Sequence, residues 1–111
     1  MRFSNPVVRT LLASSLLLIS CAASSAIPTP ERQATLKPLL IQDCGSCHGL
    51  RMKGGLGPAL PPSDLAGKPK DSLVATIIYG RPGTAMPPWG ALLNEQDATW
   101  MIEQLLQGVT P

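Results

Sequence analysis

The chain has 111 residues, with nine Lys and Arg against seven Asp and Glu, one histidine, three cysteines and only 4% aromatics. That is room for one small domain. Part of its slight positive balance lies in the first ten residues, so nothing in the charge points to nucleic acid, and one histidine restricts imidazole chemistry to a single role.

Arg2 and Arg9 precede the apolar run Leu11 to Ile19, and small residues follow from Ala22 to Ala26. This is the order of a secretory signal. A permanent span needs roughly 20 apolar residues, and this run is shorter and broken by serines. Two cleavage readings stand. Ser24-Ser25-Ala26 suits an ordinary signal peptidase, which makes 1–26 the signal and 27–111 the mature domain. Leu18-Ile19-Ser20-Cys21 resembles a lipoprotein box, with 1–20 as the signal and Cys21 lipidated. Membrane attachment is expected only in the second case. Both put the domain outside the cytoplasm, in the periplasm, where a free dithiol would otherwise oxidise. Removing residues 1–26 takes Lys and Arg from nine to seven, equal to Asp and Glu, so the mature chain is formally neutral. A domain this small has little apolar area to bury, which favours a cofactor as part of its core.

Thr29-Pro30-Glu31 reads as an N-cap, a proline at the first helical position and an early acid. Leu36, Leu40 and Cys44 recur at intervals of four, so a helix is expected over about 30–46. Pro38 interrupts it. Either the helix kinks there or it starts near Thr35 with Pro38 in its first turn, and the second is preferred. Residues 49–69 are rich in glycine and proline, with Ser63 to Ala66 as a single helical turn. Leu73, Val74, Ile77 and Ile78 predict a helix over 71–79, capped by Asp71 or Ser72 and stopped by Gly80. A second irregular loop runs to Gly90. Asn94 caps a last helix whose early acids, Glu95 and Asp97, suit the helix dipole. Its stripe is Ala98, Met101, Ile102, Leu105 and Leu106, and Gly108 ends it. With no alternating strand pattern, the domain is expected to be all-α: three main helices plus wrapping loops.

Cys44-Gly45-Ser46-Cys47-His48 is the attachment signature of a c-type haem. At these offsets the side chains share one helical face, so two thioethers anchor a porphyrin edge while the adjacent imidazole reaches iron. A thioredoxin-type pair would want a βαβ setting, which is missing, and a structural zinc site would want four ligands where three exist. His48 is the sole histidine and therefore the proximal ligand. Methionine is the usual sixth ligand in electron-transfer cytochromes c. Met52 is too close to His48 in the chain to reach the opposite face, and Met101 lies on the apolar stripe of the last helix. Met86, in Gly83-Thr84-Ala85-Met86-Pro87-Pro88, is the candidate. Iron closed on both sides points to electron transfer rather than catalysis. One covalently bound haem c, held by Cys44 and Cys47 with His48 and Met86 on its iron, makes the expected protein a one-electron carrier and not an enzyme. Two alternatives are a haem-based ligand sensor, if Met86 is off the iron, and a haem subunit of a larger membrane-associated oxidoreductase.

From Leu36 to Leu106 the chain resembles the class I c-type cytochromes. The resemblance is carried by Cys44 to Gly49, Gly57-Pro58-Ala59-Leu60, Leu73, Ile77 and Gly80, Met86-Pro87, and Leu93-Asn94. It implies the cytochrome c fold, with first and last helices packed crosswise, and a Pro58 carbonyl that accepts a hydrogen bond from His48. Where the family has glycine and an aromatic at that crossing, this sequence places Leu36 and Gln104, with Trp100 one turn earlier to fill the space. Size, spacing and the Met-Pro-Pro-Trp loop are also similar to the small c55X-type cytochromes associated with dissimilatory nitrite reductase in denitrifiers. That narrower likeness implies electron delivery to this reductase or to the enzymes that mature its special haem. The expected partners are redox proteins, met by a monomer. Arg51, Lys53, Lys68, Lys70 and Arg81 fall in the loops expected to flank the haem, whereas Glu95, Asp97 and Glu103 fall on the last helix.

Overall fold

The computed structural model describes residues 27–109, and the expectations for a signal or a lipidated Cys21 lie outside them. Among the described residues the regular structure is helical: α1 (Pro30–Leu39), a π-helical turn (Leu40–Cys44), α2 (Gly45–His48), α3 (Pro62–Leu65), α4 (Lys70–Tyr79) and α5 (Glu95–Gln107).

The first helix starts earlier than the preferred reading. Thr29 accepts the Arg32 N–H and Pro30 supplies a ready-made helical φ, and this cap sets the start although Pro38 lies inside α1. The helix changes form after Pro38. The Leu40 N–H is shared between the Leu36 and Lys37 carbonyls, and the next turn widens to the π form before the cysteines. Local departures of this kind are common where a helix presents a functional group.

The core forms where α1 and α4 meet α5. Leu36 of α1 and Leu40 of the π-helical turn join Trp100, Met101, Ile102 and Leu105 in one buried cluster. Trp100 is therefore inside, as the sequence suggested, while Gln104 is half-buried beside Lys37 and Leu40 at the edge of the same contact. Helix α4 packs most extensively along α5. It begins at Lys70 with no side-chain cap, so neither Asp71 nor Ser72 has that role; Ser72 and Leu73 instead direct their N–H groups at the Pro69 carbonyl.

One polar contact crosses this interior. Asp97, 3% exposed, receives the Arg32 Nε at 3.1 Å and Nη2 at 2.6 Å. It also closes a capping box, taking the Asn94 N–H at 3.3 Å while its own N–H goes to Asn94 Oδ1 at 2.8 Å. Arg32 Nη2 donates in addition to the Leu92 carbonyl. Through one guanidinium the start of α1 is tied to α5 and to the turn before it.

Candidate haem site

Three helical segments run without a break from Pro30 to His48, and the last turn carries the attachment motif. Cys44 and Cys47 are half-buried free thiols. Burial pushes the Cys44 thiol up to about 11, with the neighbouring Asp43 and Cys47 charges adding to it, so before any bond is made it is a protonated thiol at neutral pH. Ser46 Oγ donates to the Asp43 carbonyl at 2.7 Å and locks the outer face of the turn.

His48 is held by the loop that follows it. Its Nδ1 lies 2.7 Å from the Pro58 carbonyl oxygen. A carbonyl can only accept, so Nδ1 carries the proton and Nε2 presents its lone pair for a metal. Two further bonds hold the loop on the turn, from Gly57 N to the Cys47 carbonyl at 2.8 Å and from Gly54 N to the His48 carbonyl at 2.7 Å. These carbonyls end a helix and would otherwise lack partners. The Gly54 to Gly57 stretch is thus a clamp on the end of the helix. Gly57 shows why glycine is needed: a β-carbon there would stand 2.8 Å from His48 Cε1 and 2.9 Å from Nδ1.

The second candidate ligand comes from the loop after α4. Gly80, at φ 67°, ends the helix, and a β-carbon on it would meet Met86 O, Pro87 C and Pro88 N at 2.7 Å. Beyond them, Trp89 N and Gly90 N donate to the Ile77 and Ile78 carbonyls, each at 3.0 Å. The loop therefore caps the helix it leaves, and Met86 sits at a fixed place against the end of α4. The three described methionines divide cleanly. Met52 and Met101 are buried in the protein core, at 3% and 0% exposure, whereas Met86 is half-exposed.

This donor set fits a covalently held haem. It offers two thiols and an imidazole with the correct tautomer on one turn, and a thioether on a separately anchored loop. The apolar side chains of α4 fit as well. Leu73, Val74, Ile77 and Ile78 pack against the core, yet none of them is fully buried, which leaves apolar surface for a flat apolar ligand.

Two site features went unread in the sequence. The close packing of Gly57 on the imidazole was not anticipated, although Gly-Pro ten residues past a histidine is a usable signal. Arg32 was missed altogether, because a partner 65 residues away leaves no local pattern. The charge reading also needs adjustment. Asp97 is buried and paired, and Glu103 pairs with Lys70 of α4 at 3.0 Å. Of the acids assigned to the last helix, Glu95 remains an unpaired exposed charge, while Arg51, Lys53, Lys68 and Arg81 stay exposed in the loops.

Residues 31–104 match the family described as cytochrome C oxidase, cbb3-type, subunit III. A cytochrome c55X of Stutzerimonas stutzeri is 61% identical over 102 residues, covering 92% of this chain and 90% of that protein. A solved structure, the c-type cytochrome NirC, superposes with a TM-score of 0.70 at 60% identity over 72% of this chain and 94% of its own. A dihydro-heme d1 dehydrogenase of Pseudomonas aeruginosa is 31% identical over 96 residues, which span 86% of this chain but 18% of that protein. Among the described residues no helix is long and apolar enough to cross a membrane.

Proposed function

The chain belongs to the monohaem c-type cytochromes, in the family described as cytochrome C oxidase, cbb3-type, subunit III, and from that premise we propose a periplasmic carrier that serves denitrification. Its haem c, when bound, supplies a one-electron couple at iron. The protein's own residues do the rest. Cys44 and Cys47 anchor the group as thioethers, and His48 is the proximal ligand. The Pro58 carbonyl fixes the His48 tautomer and raises its basicity. Met86 would supply a second ligand to the iron from its own loop, which would deny the site to small ligands and favour electron transfer over ligand sensing. The observation that supports this reading is the His48 Nδ1 to Pro58 bond at 2.7 Å, which leaves the Nε2 lone pair free for a metal.

The partners are redox proteins. Two finer assignments are supported by the named relatives: the nitrite reductase of denitrification and the enzymes that mature its haem. The second gains weight because a domain like this chain makes up 18% of a dihydro-heme d1 dehydrogenase. A dehydrogenase needs an electron acceptor, and a cytochrome-like segment is suited to that role. A separate cytochrome of the same kind is suited to exchange electrons with such an enzyme. The loop after His48 is the suited contact: Leu50 and Leu56 are exposed apolar side chains, flanked by exposed Arg51 and Lys53.

Stopped-flow mixing of the reduced holoprotein with oxidised nitrite reductase, and of the oxidised holoprotein with the reduced dehydrogenase, tests the proposal. Electron transfer with at least one of them within turnover time is expected. Failure with both the reductase and the dehydrogenase removes the denitrification assignment and leaves the carrier chemistry intact.

A further inference from the structure

We propose that Thr84 is a positioning residue for Met86, its hydroxyl fixing the Met86 main chain and with it the reach of the thioether. This rests on reading Met86 as the iron's sixth ligand. The sequence Arg81-Pro82-Gly83-Thr84 has the composition of a type II turn, with proline at the second position and glycine at the third. Gly83 has φ 77°, and Thr84 N donates to the Arg81 carbonyl at 3.1 Å. The turn brings the Thr84 side chain to that same carbonyl, where Oγ1 donates at 2.6 Å. With its proton committed there, the hydroxyl oxygen accepts the Met86 N–H at 3.3 Å. Arg81 N closes the ring by donating to the Met86 carbonyl at 3.2 Å.

Both main-chain groups of Met86 are thus held by a turn that ends two residues earlier. Pro87 then restricts Met86 to extended backbone, and Gly80 lets the ring seat against the end of α4. Thr84 itself is exposed, so its methyl group contributes nothing to the core. The hydroxyl is the only part of the side chain with a task, and Thr84→Val removes it at nearly constant volume.

A competing ligand gains access to iron only when the Met86 loop opens, so imidazole reports how firmly the loop is held. In full-length oxidised holoprotein, Thr84→Val is expected to bind imidazole about three- to tenfold more tightly, the range one net hydrogen bond supports. Faster amide exchange at Met86 is expected alongside. Thr84→Ser keeps the hydroxyl and should restore both, and Thr99→Val, which removes a comparable hydroxyl from α5, should leave both unchanged. Wild-type affinity and exchange in Thr84→Val, or equal effects from Ser and Val, would overturn the proposal while leaving Met86 on iron. Met86→Ala is the separate control. If it keeps the near-infrared sulfur-to-iron band of the wild type, the ligand assignment itself fails.

Discussion

His48 Nδ1 lies 2.7 Å from the carbonyl oxygen of Pro58, and Gly57, immediately before that proline, packs against the same ring. The two contacts do different work. The carbonyl sets which nitrogen carries the proton, and the missing β-carbon lets the imidazole lie close enough for the bond to form.

Substituting Gly57 by alanine should therefore act on the iron through the ring. A β-carbon 2.8 Å from Cε1 pushes the imidazole away from Pro58 and weakens the bond that makes it electron-rich. The reduction potential is expected to rise by about 20–60 mV, because a net hydrogen bond of ~0.5–1.5 kcal/mol converts at 59 mV per tenfold for one electron. Gly67→Ala, where nothing stands within 4 Å of the added carbon, should leave the potential unchanged. Protein-film voltammetry on the two variants decides between a local and a general effect.

The Arg32, Asn94 and Asp97 group predicts how stability responds to acid. The Arg32 guanidinium holds the Asp97 carboxyl below its ordinary range, helped by the Asn94 N–H. A depressed folded value means the contribution is fully present above the unfolded carboxylate value near 3.8. It is lost as pH falls through the lower folded value. Thermal melts should decline below about pH 4 in the wild type. In Asp97→Asn the stability at neutral pH should start lower, and this part of the decline should be absent. Asn94→Ala should cost about 1 kcal/mol by loss of the cap, or about 4–8 °C in a domain of this size. In contrast, Glu103→Gln should change stability by no more than about 0.5 kcal/mol, because the Lys70 pair it breaks is solvent-exposed.

Charge on the loop after His48 should show itself in kinetics rather than in stability. Arg51→Glu with Lys53→Glu is expected to slow electron exchange with an acidic partner at low salt. The difference from wild type should shrink as ionic strength rises, since exposed charges are screened beyond about 10 Å at 0.1 M salt. Stopped-flow rates across a salt series check this. Rates without salt dependence in either protein would remove steering from the account.

Most local signals in the sequence held where the chemistry was local, although the cap expected of Asp71 or Ser72 on α4 is not formed. Asn94 with Asp97 announced a cap, Gly80 and Gly108 announced helix ends, and Cys44 to His48 announced the haem. The stripe of α5 read correctly for the same reason, since Ala98, Met101, Ile102 and Leu105 are buried and Leu106 is half-buried. Competition between signals was harder to weigh. Pro38 argued for a late helix start and Thr29-Pro30 for an early one, and the cap prevailed: Thr29 accepts the Arg32 N–H and Pro30 takes the first helical position. Long-range geometry was not legible. Nothing near Arg32 marks Asp97 as its partner, and nothing in Gly54-Gly55-Leu56-Gly57 distinguishes a slack loop from one whose N–H groups meet the Cys47 and His48 carbonyls. The Arg-Pro-Gly-Thr turn was readable by its composition, but its use as a brace for Met86 required the positions of two hydrogen bonds on one hydroxyl.

An iron held between His48 and Met86, as proposed, has a direct signature in the near-infrared sulfur-to-iron absorption of the oxidised holoprotein, measured in the wild type and in Met52→Leu, Met86→Ala and Met101→Leu. The band should be present in the wild type, survive in Met52→Leu and Met101→Leu, whose parent side chains lie in the core, and vanish in Met86→Ala. A wild type without the band, or a Met86→Ala protein that keeps it, would contradict the account.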